Sequence, residues 1–538
     1  MTDDQTHRGP PSVETIAGEA LYDEAGTAPL SPQRDLGPAE APATAADGQG
    51  GCHAPGEMRA AAEKNGAGAI LERFRADYPQ GPHDKPQSMC PAFGSLRVGL
   101  RMKRTATILS GSACCVYGLT FTSHFYGAKR SVGYVPFSSE TLVTGKLYED
   151  IRDAVVQMAD PERYDAIVVT NLCVPTASGI PLRLLPKEVN GVRVVGIDVP
   201  GFGVPTHAEA KDVLAGAMLA YARTEAEAGP VQAPGNRQDL PTVTLVGEMF
   251  PADPVTIGRM LAPMGLAAGP MVPPREWREL YSALDGVAVA AIHPFYTASI
   301  REFRAAGRPV VGSAPVGAEG TAAWIERIGD ATGTARAKID DAKNAMVEAT
   351  RAALAKAPIS GRITLSGYEG SELLVARLLV ECGADVRYVG TACPKTEWSA
   401  EDAAWLEAHG AHVEYRASLE ADLAAMDCFE PDLAIGTTPV VQKAKERATP
   451  ALYFTNLISA RPLMGPAGAG SLGQVVNAAI AGKARMDAMR AFFEGVGHDR
   501  TSGTWHDLPA DRPDFRKKFA RSLAKLRERQ GREEEIGT

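Results

Sequence analysis

The sequence predicts an α/β protein in which three blocks follow one another, each a parallel sheet flanked by helices. Two observations carry that prediction. Short apolar runs rich in Val, Ile and Leu recur between residues 105 and 454, and each leads into a loop with Gly, Pro or Asn and then a helical stretch. Runs of this length are strands buried on both faces, and the helices between them supply the cover.

Residues 1–55 are rich in Ala, Gly, Pro, Asp and Thr and lack sustained periodicity. They read as a disordered N-terminal arm, since they bury too little apolar surface to offset their ordering entropy. A first α/β domain is expected over 56–238. It opens with a helix at 56–78 and a Pro-containing loop to Cys90, followed by strands at 105–109, 166–169 and 193–197. A Gly/Pro-rich linker at 227–240 then introduces a second domain, 239–357, with strands at 242–246, 286–291 and 308–311. A long Ala-rich helix at 335–357 closes it. The third domain, 358–500, takes strands at 362–365, 385–389, 433–435 and 451–454. Residues 501–538 form a charged C-terminal tail.

Composition narrows the function. A chain of 538 residues exceeds what one core can organise, and 45% hydrophobic with 22% charged residues is ordinary for a soluble protein. A net charge of −9 and 6% aromatics offer no basic, aromatic-studded face for nucleic acid. No apolar run reaches the ~18–20 residues of a membrane helix. The polar, acidic start lacks an export signal, so a cytoplasmic location is expected.

Several chemistries lack their motifs. There is no G-x-x-x-x-G-K-[ST] loop for nucleotide hydrolysis, no H-E-x-x-H and no paired C-x-x-C for zinc. Gly465-Pro-Ala-Gly468-Ala-Gly470 lacks the strand-then-Gly-x-Gly spacing of a dinucleotide site and reads as a loop approaching a helix.

The eight cysteines remain. Cys382 and Cys428 read as small buried hydrophobes, at a helix end and in a helix-to-strand loop. Cys52, at the end of the arm, and Cys393, in the third block, are poor ligand candidates. Three others sit in loops of the first block: Cys90 in Met89-Cys90-Pro91, Cys115 in Gly111-Ser112-Ala113-Cys114-Cys115, and Cys173 in Thr170-Asn171-Leu172-Cys173-Val174-Pro175. The last two follow strands directly, so both should reach the carboxyl edge of a parallel sheet, where ligands bind. Soft thiolates on Gly- and Pro-rich loops suit iron, and loop amides can donate to cluster sulfurs. Three cysteines placed at strand ends by chance are the alternative. Cys114 adjoins Cys115, and the spacing from Gly111 favours Cys115.

The order Cys90, Cys115, Cys173, with the G-x-x-x-C and T-x-x-C-x-P type loops, resembles the cluster-ligand order of nitrogenase molybdenum–iron proteins and of the dark-operative tetrapyrrole reductases related to them. The segment Gly196-Ile-Asp198-Val-Pro200-Gly-Phe-Gly203 resembles that family's stretch beyond the next strand. The likeness runs from about residue 60 to about residue 500 and is greatest to the reductases of chlorophyllide.

That resemblance implies three Rossmann-like domains in a nitrogenase-component-like fold. It implies a [4Fe–4S] cluster shared with a partner subunit, with Cys90, Cys115 and Cys173 as metal ligands from this chain. It further implies a heterotetramer with a homologous subunit Z, and electrons from a separate ATP-hydrolysing iron protein, subunit X. The reaction implied is reduction of the C7=C8 bond of ring B of chlorophyllide in bacteriochlorophyll biosynthesis. Phe121, His124, Phe125 and Tyr126 are candidates to line an apolar pocket. His124, His207 and His293 read as hydrogen-bonded histidines, and no proton donor stands out. Two other readings stay open: a reductase of protochlorophyllide or a nickel tetrapyrrole, and a scaffold on which a metallocluster is assembled.

Overall fold

A computed structural model describes residues 90–125, 132–233, 240–247, 254–459 and 461–487. The expected N-terminal arm, the helix at 56–78 and the charged tail lie outside the described residues, as does Cys52. The chain forms two compact units: one holds Leu96–Phe202, the other Pro86–Ser95 and Gly203 onward. Three sheets are present among the described residues, one in the first unit and two in the second.

The first sheet has strand order β2-β1-β3-β5-β4. Its strands are β1 (Thr105–Ser110), β2 (Val132–Val135), β3 (Ala166–Asn171), β4 (Glu188–Val189) and β5 (Val192–Asp198). All pair in parallel except β4, which runs antiparallel to β5. Every residue of β1 and β3 is buried, as two-faced cover requires. The helix Lys146–Met158 turns Leu147, Ile151 and Val155 onto Ile108, Ile167 and Val169, the i, i+4, i+8 stripe of an amphipathic helix.

In the second unit, β6 (Thr242–Val246), β7 (Ala267–Val272), β8 (Ala288–Ala291) and β9 (Val310–Gly312) form a parallel sheet of order β7-β6-β8-β9. The other sheet, order β12-β11-β10-β13-β14, is also parallel. It contains β10 (Arg362–Gly367), β11 (Asp385–Thr391), β12 (His412–Tyr415), β13 (Leu433–Gly436) and β14 (Ala451–Tyr453). One apolar core runs through both, from Val243 and Leu245 to Ile363, Leu365, Leu433 and Ile435.

The long helix His207–Ala228 belongs to this unit. Its Asp212 carboxylate accepts from Ala298 N–H (2.6 Å), Ser299 N–H (2.8 Å) and Ser299 Oγ (2.7 Å), capping the helix Thr297–Ala305 from outside it. Apart from Pro86–Ser95, this unit thus takes up the chain from Gly203, ahead of the Gly/Pro-rich linker.

Ten strands lie where the apolar runs place them. The other four, β2, β4, β7 and β12, are all edge strands. An edge strand is covered less, so its side chains need not be uniformly apolar, and it tolerates Gly and Pro. β7 contains Gly269-Pro270 and is only partly buried, and β12 reads His-Val-Glu-Tyr. The Gly-rich run at 465–470 is a correction: it is the first turn of the helix Gly465–Ala481, with Pro466 in that turn, and no loop. Gly468 serves close approach, for a Cβ there would lie 2.1 Å from the Leu463 carbonyl carbon.

One buried carboxyl of the third sheet makes stability pH-dependent. Burial pushes Asp422 up to about 7, although the Tyr388 hydroxyl donates to it at 3.0 Å; Glu414 and Glu372 add to the rise. The folded value lies above the unfolded one of about 3.9, so its stabilising contribution is complete below pH ~4 and lost as pH rises through about 7. Asp422→Asn, which can still accept from Tyr388, should remove roughly 2–4 kcal/mol of the fall in unfolding free energy between pH ~4 and ~8. Urea unfolding across that range checks this; an unchanged slope in the variant would refute it.

Candidate metal centre

The first unit brings two cysteine loops together. β1 and β3 are adjacent and parallel, with Ser110 opposite Asn171 at their carboxyl ends. The Leu172 N–H donates to the Ser110 carbonyl at 2.8 Å, so the two loops leave the sheet side by side. Gly111 makes this approach possible, since a Cβ there would meet the Leu172 side chain at 2.5 Å.

Cys115 lies in the first turn of the helix Ala113–Phe125, where backbone N–H groups favour a thiolate. Cys114 and Cys115 are exposed and Cys173 is half-buried. The Ser112 hydroxyl lies 2.9 Å from Cys114 Sγ and lowers that thiol's pKa. On neighbouring β2, partial burial raises the Tyr134 hydroxyl, and negative charge on Cys114 and Cys115 adds to the rise.

Cys173 opens the turn Cys173–Ala177 and is held by the loop after β5. The Gly201 N–H donates to Cys173 Sγ at 3.1 Å. Asp198 Oδ1 accepts from Asn171 Nδ2 (3.0 Å) and Thr176 Oγ1 (3.2 Å), and Val199 N–H donates to the Asn171 carbonyl (3.0 Å). None of these supports was assigned a role from the sequence. The signal available was the polar Asp198 at the end of an apolar strand.

Apolar side chains surround these loops and remain open to solvent. Tyr117 and Phe121 stack on the helix that carries Cys115, with ring centroids 6.1 Å apart, and both are more than 60% exposed. Val174 and Phe202 are exposed beside Cys173 and Gly201. The largest apolar patches that monomers leave open mark sites of contact. Of the expected pocket residues, Phe121 is thus at this surface; Tyr126 and the side chains of His124 and Phe125 lie outside the description.

Cys90 is exposed immediately before the helix Pro91–Arg101 and is grouped with the second unit. Among the described residues, no three His, Cys, Asp or Glu side chains are gathered as a ready metal site. Thiols on two adjacent loops, with an amide aimed at one of them, nevertheless fit an iron–sulfur group.

The other cysteines do not compete. Cys393 is buried, and burial holds its thiol well above the usual range. Cys382 is buried at the end of the helix Glu372–Glu381, with its thiol pushed up to about 11. Cys428 corrects expectation: it is exposed, within the helix Leu419–Phe429.

The second unit contains a buried ionic group. Glu369 follows β10, and its carboxylate lies 2.9 Å from His207 Nε2 and 3.9 Å from Lys211 Nζ. His293 Nε2 is 2.9 Å from the Glu369 carbonyl oxygen, and burial lowers His293 to about 4. His207 and His293 are therefore interior histidines with polar partners.

Residues 90–481 match the family model for nitrogenase component 1 type oxidoreductase. The chain belongs to that family. Members of this nitrogenase-like family bind metal clusters. The chain is 72% identical to the chlorophyllide reductase 52.5 kDa chain of Cereibacter sphaeroides, over 88% of this chain and 95% of that one. It is 70% identical to the protein of the same name from Rhodobacter capsulatus, over 89% and 96% of the two chains. A solved nitrogenase, Cp1 at pH 6.5, shares the component 1 fold at a TM-score of 0.61 and 18% identity, over 76% of this chain and 95% of that one.

Proposed function

We propose that this chain is subunit Y of chlorophyllide a reductase and holds a [4Fe–4S] cluster through Cys90, Cys115 and Cys173. Identity of 72% over nearly the whole length of a chlorophyllide reductase chain carries the assignment of the enzyme. The chain is a nitrogenase-like oxidoreductase subunit of a multi-subunit enzyme in bacteriochlorophyll synthesis. The finer reading is supported by the paired Cys115 and Cys173 loops, by the amide aimed at Cys173, and by the apolar surface around them.

When bound, such a cluster passes electrons one at a time. The residues of this chain hold it, exclude water around it and present it at a surface. Cys115 and Cys173 would do so from one sheet edge and Cys90 from its own turn. A homologous subunit Z would cover Tyr117, Phe121, Val174 and Phe202 and supply the remaining ligand, within a heterotetramer. An ATP-hydrolysing iron protein, subunit X, would deliver the electrons, which agrees with the missing nucleotide loop. The substrate would be chlorophyllide, reduced at C7=C8 of ring B by two electrons and two protons. No helix of the described residues is long and apolar enough to cross a membrane, and a cytoplasmic location is proposed with the rest.

The test is turnover. The chain co-expressed with subunit Z and supplied anaerobically with subunit X, ATP and chlorophyllide should convert the chlorin spectrum to that of a bacteriochlorin. Omission of ATP should abolish the change. An iron-replete complex that leaves chlorophyllide untouched and reduces protochlorophyllide would assign the chain to the sister reaction; one that reduces neither would make it a scaffold.

A further inference from the structure

We infer that Asp198 and Gly201, in the loop after β5, form an outer shell for Cys173: Asp198 fixes the turn that presents the sulfur, and the Gly201 N–H donates to it. This rests on the proposed role of Cys173 as a ligand. The geometry is continuous from strand to sulfur. Asn171 is fully buried at the end of β3 and spans its own turn, donating through Nδ2 to the Ile180 carbonyl (3.1 Å) and to Asp198. Asp198 also accepts from Thr176, inside the turn that begins at Cys173, so one carboxylate oxygen ties strand end and turn together. Val199 N–H on the Asn171 carbonyl sets the path of the loop, and two residues later Gly201 N–H points at the sulfur.

An N–H donated to a ligating sulfur favours the more negative, reduced state and so raises the reduction potential. Asp198 and the Gly201 amide are thus positioning groups for electron transfer, acting through Cys173.

Two substitutions at one position isolate the amide. In Gly201→Ala the new Cβ would sit 3.6 Å from Cys173 Sγ, an ordinary contact, and the N–H remains. Gly201→Pro removes the N–H. The complex with subunit Z should show a lower midpoint potential in Gly201→Pro than in Gly201→Ala, read by redox titration of the reduced cluster's electron paramagnetic resonance signal. Equal potentials would overturn the role of the amide.

Should Gly201→Pro fail to assemble, Asp198 decides. Asp198→Ala should release iron to a ferrous chelator about tenfold faster than wild type, the low end of the roughly 10–100-fold loss in metal affinity that removal of an outer-shell partner brings. Asp198→Asn keeps an acceptor and should restore the wild-type rate. Wild-type release in both would overturn the proposal. Cys173→Ser separates the two layers. If it retains full iron, the ligand assignment itself fails; if it loses iron while the Asp198 and Gly201 variants behave as wild type, only the outer shell fails.

Discussion

Serine at Cys115 or Cys173 is expected to abolish chlorophyllide reduction, while serine at Cys114 leaves most of it. Serine retains the size of cysteine but replaces a soft thiolate with a hard hydroxyl that stays protonated near neutral pH, a poor ligand for iron. The two loops leave neighbouring strands side by side, so losing one sulfur removes half of what this sheet edge can offer. Turnover should fall at least ~100-fold in both variants, an expectation drawn from the dependence of cluster retention on its thiolates. Cys428→Ser, on the exposed side of the helix Leu419–Phe429 in the second unit, should behave as wild type. The chlorophyllide absorption assay reads all four variants. Substantial turnover in Cys173→Ser, or its loss in Cys114→Ser alone, would move the site away from the assigned pair.

The second large effect concerns stability. Glu369→Ala should destabilise the second unit by roughly 3–5 kcal/mol, the usual cost of deleting one member of a buried ion group. The carboxylate lies against His207 and Lys211 of the helix His207–Ala228 and accepts from Thr455 Oγ1 at 3.3 Å. The same residue's N–H donates to Glu372 at 2.8 Å and its carbonyl meets His293. It therefore joins the carboxyl edges of two sheets to one helix. Glu369→Gln, which keeps the shape and an acceptor, should cost less than the alanine. Urea unfolding followed through the buried Trp277 and Trp324 measures both; a loss under about 1 kcal/mol in the alanine variant would show that the group is structurally dispensable.

Much of this architecture is legible because central strands of a parallel sheet must be apolar throughout. β1, β3 and β10 announce themselves as Thr-Ala-Thr-Ile-Leu-Ser, Ala-Ile-Val-Val-Thr-Asn and Arg-Ile-Thr-Leu-Ser-Gly. β2, β7 and β12 escape notice because edge positions relax that demand, as Gly269-Pro270 in β7 illustrates. The Gly465–Gly470 run misleads for a related reason: a glycine that lets the preceding backbone fold close, as Gly468 does against Leu463, looks like part of a loop until the packing is known.

The adjacency of the Cys115 and Cys173 loops is equally legible, since both follow strands that pair in one sheet. Their supports are not. Asp198 and Gly201 act on Cys173 across a strand crossover, and nothing in local spacing ties a carboxylate at 198 to an asparagine at 171. The ionic group around Glu369 is hidden in the same way, its members lying at 207, 211, 293 and 369.

In the proposed assembly this chain contributes three thiolates to one shared cluster. Its most direct test is anaerobic iron and acid-labile sulfide content of the chain co-expressed with subunit Z, as wild type and with serine at Cys90, Cys115, Cys173 or Cys114. About four irons and four sulfides per pair are expected for a [4Fe–4S] cluster, lost in the first three variants and kept in the fourth. A wild-type pair without iron, or iron unchanged by serine at Cys90, Cys115 and Cys173, would contradict the claim.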